Sequence, residues 1–143
     1  FLDSVDWSFP VPIFYGPNRI NELPDICKTN NLARPLLVTD KSSKDLPFMK
    51  KILKDLNRSS IKSDIFTDIS PNPIDDEIYK GRSFYKEGKH DSIIAIGGGS
   101  GMDGGKAISL IANNSENLWG FEYEKSPIKR QKAQRWLQIQ NLE

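Results

Sequence analysis

Ser92-Ile93-Ile94-Ala95-Ile96-Gly97-Gly98-Gly99-Ser100-Gly101-Met102-Asp103-Gly104-Gly105-Lys106-Ala107 decides how this chain folds. Ile93 to Ile96 is a short continuous apolar run, the mark of a strand buried on both faces of a sheet. Gly97 to Gly101 breaks it. Met102 to Asn113 then reads as a helix facing inward through Ala107, Ile108 and Ile111. Gly97, Gly98 and Gly99 carry no Cβ, so the backbone can take positive φ and a large anion can approach its amides closely. The following helix presents free N–H groups and its positive dipole end to that anion. Ser100 adds a hydroxyl donor. The stretch reads as a phosphate cradle; a tight turn whose glycines serve packing is the alternative.

Two common motifs nearly match and are refused. Gly99, Gly101 and Gly104 have the spacing of G-x-G-x-x-G. That fingerprint belongs to a first βαβ unit, followed after about 20 residues by a strand ending in an acid. Here the chain turns basic and polar instead. Gly105-Lys106 has a P-loop look, but Ala107 stands where Ser or Thr would hold magnesium, and Ser100 stands where the first glycine belongs.

Working outward, strand and helix patterns alternate. Val11 to Tyr15 reads as a strand stopped by Gly16-Pro17. Asn18 can cap a helix from Arg19 to Lys28, with Pro24 tolerated only in its first turn or at a kink. Leu36 to Thr39 is a second buried strand, ended by Asp40. Leu46, Met49, Leu53 and Leu56 mark a helical stripe. Ile61 to Ile69 alternates like a strand and stops at Ser70-Pro71-Asn72-Pro73. Ile74 to Gly88 reads as a helix with Gly88 near its end. This order predicts an α/β fold with a parallel sheet and flanking helices. Ligands in such sheets lie at the carboxyl ends of the strands, where Asp40, the Pro71–Pro73 loop and Gly97–Gly101 would gather. After Tyr123 the chain becomes basic and glutamine-rich. We expect a domain over 1–124 and, over 125–143, a solvated helical or disordered tail without a new strand; a binding segment is the alternative.

Composition bounds the chemistry. At 143 residues the chain holds one compact domain. A net charge of +1 argues against a nucleic-acid or membrane-surface partner. No apolar stretch is long enough to span a membrane, and Phe1 to Pro10 lacks the pattern of a signal peptide. The one cysteine, Cys27, allows no intrachain disulfide and fits a reducing, cytoplasmic compartment. The one histidine, His90, excludes a multi-histidine metal site within these residues. A Ser-His-Asp triad built on His90 lacks a nucleophile elbow. Asp40, at the end of a parallel strand, can accept two hydrogen bonds from a ribose diol; equally it can serve as a turn or cap residue for Ser42-Ser43. Asp103 and Lys106 form an exposed ion pair, or Asp103 accepts hydrogen bonds from a ligand.

The Gly97–Ala107 segment resembles the GGGSxxDxxKA signature of the iron-containing alcohol dehydrogenases. Pro12–Gly16, Val38–Lys41, Pro71-Asn72-Pro73 and Trp119-Gly120-Phe121-Glu122 stand in that family's order. The resemblance covers about Trp7 to Glu124; Lys125 to Glu143 is unlike the family. It implies the Rossmann-like N-terminal domain of a dehydroquinate synthase-like fold. It also implies an NAD(P)-dependent oxidoreductase interconverting a small alcohol and its aldehyde or ketone. By that likeness Gly97, Gly98, Gly99, Ser100 and Gly101 bind the pyrophosphate, Asp40 the adenosine ribose and Asn72 the border of the cofactor, while Asp103 stands near the nicotinamide. NAD is expected over NADP. The family's iron or zinc is held by an all-helical domain, whose aspartate and histidine ligands are not among these residues. We expect no catalytic or metal-binding residue here, a chain that stops short of the metal domain, and self-association through surface that such a domain would cover. A non-catalytic nucleotide-binding remnant and a glycerol dehydrogenase or dehydroquinate synthase-type relative are the alternatives.

Overall fold

The computed structural model describes residues 17–112 and the backbone of residues 136–140. A 3₁₀ turn over Arg19–Glu22 leads into α1 (Leu23–Thr29), with Pro24 in its first turn, where a missing N–H is harmless. Asn18 adopts a left-handed conformation and makes no side-chain cap, so the expected capping role is not filled. Next come β1 (Pro35–Asp40), α2 (Pro47–Arg58), β2 (Asp64–Ile69), α3 (Asp75–Glu87), β3 (Ser92–Gly97) and α4 (Gly99–Ile111). The expected strand at 11–15 and the segment 119–122 lie outside the described residues.

All strand pairs are parallel, and the order is β2-β1-β3-β4. Every residue of β1 and of β3 is buried, as continuous apolar runs require. Their side chains divide between two cores. Leu37, Ile94 and Ile96 pack with Cys27 of α1 and with Met49, Ile52 and Leu56 of α2. Leu36, Val38 and Ile93 pack on the other face with Ile78 and Tyr85 of α3 and with Ile108 and Ile111 of α4. The chain steps from β1 outward to β2 under α2, then returns past β1 to β3 under α3. The strand order therefore reverses between β1 and β3, and the crevice above that reversal is where an open α/β sheet takes its ligand.

The fourth strand corrects the sequence reading. β4 (Trp136–Gln140) pairs with β3 from Ile93↔Trp136 to Gly97↔Gln140, within the segment expected to hold no new strand. Leu137-Gln138-Ile139-Gln140 alternates apolar and polar residues, but the run is short, stands in a basic, glutamine-rich stretch, and has its pairing partner far back in the chain. Residues 125–135 and 141–143 are outside the described set.

Candidate functional site

The turn between β3 and α4 is shorter than the glycine run. Only Gly97 and Gly98 precede the helix, which begins at Gly99 rather than at Met102. Gly97 takes φ +122°, a region L-residues rarely enter, whereas Gly98 has φ −81° and ψ −165°. The five inner glycines of the motif then divide by what a side chain would meet. A Cβ on Gly101 would lie 2.7 Å from the Ile96 carbonyl oxygen, one on Gly104 2.9 Å from Ile69 Cδ1, and one on Gly105 2.5 Å from Ala95 Cβ. These three let α4 sit directly on the sheet. At Gly98 and Gly99 a Cβ would meet nothing within 4 Å among the described residues, and both are exposed. Packing explains three of the glycines; it does not explain Gly98 or Gly99.

Asp40 ends β1 directly beside this turn. A Cβ on Gly97 would lie 3.2 Å from Asp40 Oδ2. The Asp40 residue is 7% exposed. Oδ1 accepts hydrogen bonds from Ser42 Oγ (2.5 Å) and the Ser43 amide (2.9 Å), and Oδ2 accepts one from Ser43 Oγ (3.1 Å). Burial alone would raise its pKa. The Ser42 and Ser43 hydroxyls and amides outweigh burial and hold it below the ordinary carboxylate range. Asp40 is thus a turn residue for Ser42-Ser43, and Oδ2, with one donor, keeps capacity for another. Thr39 Oγ1 is buried without a hydrogen-bond partner among the described residues, 3.4 Å from the Cβ position of Gly97.

The loop after β2 joins the same edge. Ser100 Oγ donates to the Pro71 carbonyl oxygen at 2.9 Å. The hydroxyl expected to face a ligand therefore gives its hydrogen to the loop and ties it to the start of α4. Asn72 is exposed beside it, and its carbonyl oxygen lies 3.1 Å from Ser70 Oγ. Asp103 is exposed on α4, and no ion pair joins it to Lys106 among the described residues. Four further residues of this edge, Glu77, Ser42, Ser43 and Thr39, carry no motif that marks them as binding residues in the sequence. Glu77 alone has a local signal: it stands three residues after Ile74, the helix-entry position.

His90 is at the opposite edge of the sheet. It precedes β3, its Nδ1 lies 3.0 Å from the Arg34 carbonyl oxygen and its Nε2 3.6 Å from Asp64 Oδ2, and its ring stacks on Phe84. The turn that looks polar in sequence buries its histidine. No group of three or more His, Cys, Asp or Glu among the described residues could hold a metal ion, and no described helix is long and apolar enough to cross a membrane.

A parallel sheet with helices on both faces, and a glycine turn opening a helix at its switch point, defines a Rossmann-like α/β protein. Residues 10–139 match the family model of the iron-containing alcohol dehydrogenases, and the chain belongs to that family. The match runs past Glu124 into the segment that looks unlike the family, which corrects the boundary of the resemblance. The chain is 31% identical over 118 residues to a 1,3-propanediol dehydrogenase of Citrobacter freundii, covering 81% of this chain and 30% of that protein. Its fold superposes with a TM-score of 0.84 on an NADH-dependent butanol dehydrogenase of Thermotoga maritima, at 19% identity, covering 96% of this chain and 34% of the other. A sulfoacetaldehyde reductase of Bifidobacterium kashiwanohense, solved in complex with NAD+, gives a TM-score of 0.76 at 27% identity, covering 94% and 34%. The chain thus spans about a third of the length of each of these relatives.

Proposed function

We propose that this chain is the cofactor-binding part of an NAD-dependent oxidoreductase that interconverts a small alcohol and its aldehyde or ketone. Family membership supports the reaction class. The observation that carries the binding site is the pair Gly98 and Gly99. They lie open at the switch point, at the N-terminus of α4, with no packing reason to lack a side chain. A pyrophosphate seated there would receive the free amides and the positive end of the helix. Gly97 shapes the turn, Ser100 ties it to the 70–74 loop, Gly101 lets α4 approach the sheet, Asn72 borders the turn from that loop, and Asp103 is exposed one turn into α4.

Asp40 Oδ2 is the acceptor for an adenosine ribose hydroxyl, and its charge disfavours a 2′-phosphate at the same place. Lys41 next door is drawn toward Glu77, with Nζ 4.0 Å from Oε1, and so offers such a phosphate little relief. The nicotinamide supplies the hydride acceptor when bound. The described residues do not fit the family's metal. Iron or zinc would be held by residues outside the described set. A cytoplasmic setting and self-association belong to the same proposal, the first resting on the single thiol Cys27 and the second on family surface that other parts of the relatives would cover.

The test is calorimetric titration of the purified chain with NAD and with NADP. Binding of NAD, weaker binding of NADP, and a narrower preference in Asp40→Gly are expected. Equal affinities would remove Asp40 from the assignment, and no NAD binding by the folded chain would overturn it.

A further inference from the structure

Glu77 makes more contacts to the cofactor edge than its place on α3 requires. Its Oε2 accepts hydrogen bonds from the Ser70 amide (3.2 Å), Ser70 Oγ (3.0 Å) and the Ile74 amide (3.2 Å). Ser70 and Ile74 are the two ends of the loop that contains Pro71, Asn72 and Pro73. Both prolines lack an N–H, so this loop cannot brace itself with backbone bonds at those positions. Ile74 enters α3 with no side-chain cap to offer and is itself 57% exposed. One carboxylate oxygen therefore closes the loop from the helix side, as the acidic half of a capping box does. The far side of the loop is the Pro71 carbonyl, which holds Ser100 at the mouth of the glycine turn. A chain of bonds runs from Glu77 through Ser70 and Pro71 to Ser100.

We propose that Glu77 is a positioning residue for the dinucleotide edge: by clamping both ends of the 70–74 loop it fixes Ser100 and, with it, the geometry of the phosphate cradle. This rests on the reading of the glycine turn as a dinucleotide site. The side chain is only 13% exposed, so removing it would leave the Ser70 and Ile74 donors poorly compensated. The charged groups facing it are Lys41 after β1, Asp68 of β2, which is paired with Lys80 of α3, and Asp76 of α3. Burial would raise the Glu77 pKa, but the Ser70 hydroxyl, the Ser70 and Ile74 amides and then Lys41 hold it below the ordinary glutamate range.

The experiment combines amide NMR with NAD titration on the parent chain, Glu77→Gln and Glu77→Ala. In the parent, the Ser70, Ile74 and Ser100 amide signals should move together on acidification, with one midpoint below that of an ordinary glutamate. Glu77→Gln keeps an acceptor oxygen, so it should hold NAD affinity within about threefold and abolish the shared titration. Glu77→Ala should displace the Ser100 signal and weaken NAD by about tenfold, while the signals of α1 and α2 stay in place. A Ser100 signal unmoved in folded Glu77→Ala would overturn the proposal. So would parent-like NAD affinity in that variant. If the parent binds no NAD, the cofactor reading fails, and the Ser100 signal alone decides: displacement supports the clamp and constancy overturns it.

Discussion

At the scale of single residues, the glycines are not interchangeable. Gly98→Val places its side chain in open space, at a φ any residue can adopt, so the folded state should be nearly unaffected. On the proposed reading the same side chain occupies the room of a phosphate, and NAD affinity should fall about tenfold or more, which corresponds to roughly 1.4 kcal/mol. Calorimetry paired with a urea melt separates the two effects; unchanged affinity in a folded variant would remove the cradle. Asp40 makes a different prediction. Its folded pKa is depressed, so its contribution to stability is fully present above the unfolded value of about 4 and is lost as pH falls through the folded value. Asp40→Asn should lower stability at pH 7 by about 1–2 kcal/mol, because fewer of the Ser42 and Ser43 donors find an acceptor. It should also flatten part of the acid limb of a stability–pH curve measured by urea denaturation. A variant whose curve overlays the parent's would show that the carboxylate is not what Ser42 and Ser43 hold.

At the scale of elements, α4 sits directly against the sheet. The Cβ position of Gly105 lies 2.5 Å from Ala95 Cβ, a separation real side chains do not reach. Gly105→Val should therefore push the helix off β3 and destabilise the fold by about 1–3 kcal/mol. Gly105→Ala combined with Ala95→Gly should recover most of the loss that Gly105→Ala produces alone, as read from denaturation midpoints. Much of this layer was legible in sequence: the apolar runs of β1 and β3, the stripe of α2 and the breaks at Asp40 and Ser70 all fall within a residue or two of the observed elements. What was not legible depended on distant partners. The start of α4 at Gly99 was hidden because glycines read as a turn until the helix N–H pattern is seen. The burial of His90 was hidden because its neighbours Phe84, Arg34 and Asp64 each lie on another segment. The clamp by Glu77 was hidden because an isoleucine stands at the helix entry, where a hydroxyl would have announced a capping box.

At the scale of the whole molecule, residues 1–143 alone should oxidise no alcohol, even with iron or zinc supplied. A catalytic metal of this kind needs about three or four protein ligands in fixed geometry. The sequence holds one histidine and one cysteine, and both are buried away from the glycine turn, at His90 and in the α1–α2 core at Cys27. NADH formation from short alcohols and diols, followed by absorbance with each metal added, checks this. Metal-dependent turnover well above a protein-free control would mean that carboxylates, or a second copy of the chain, complete a metal site.

The placement of β4 sets how firmly one side of the glycine turn is held. β1, β2 and β3 are joined through crossovers by α2 and α3, whereas β4 returns to β3 only after α4 and a further stretch of chain. Among the described strands β4 pairs with β3 alone, whereas β1 pairs on both sides, so fewer ladder bonds hold β4 in place. Its last register position, Gln140, sits opposite Gly97. The glycine turn is thus flanked on one side by a strand paired along both edges and on the other by a strand that, among the described residues, is paired along one. In native-state hydrogen exchange, β4 amides should open at lower free energy than those of β1, and a bound dinucleotide should slow that opening from across the sheet.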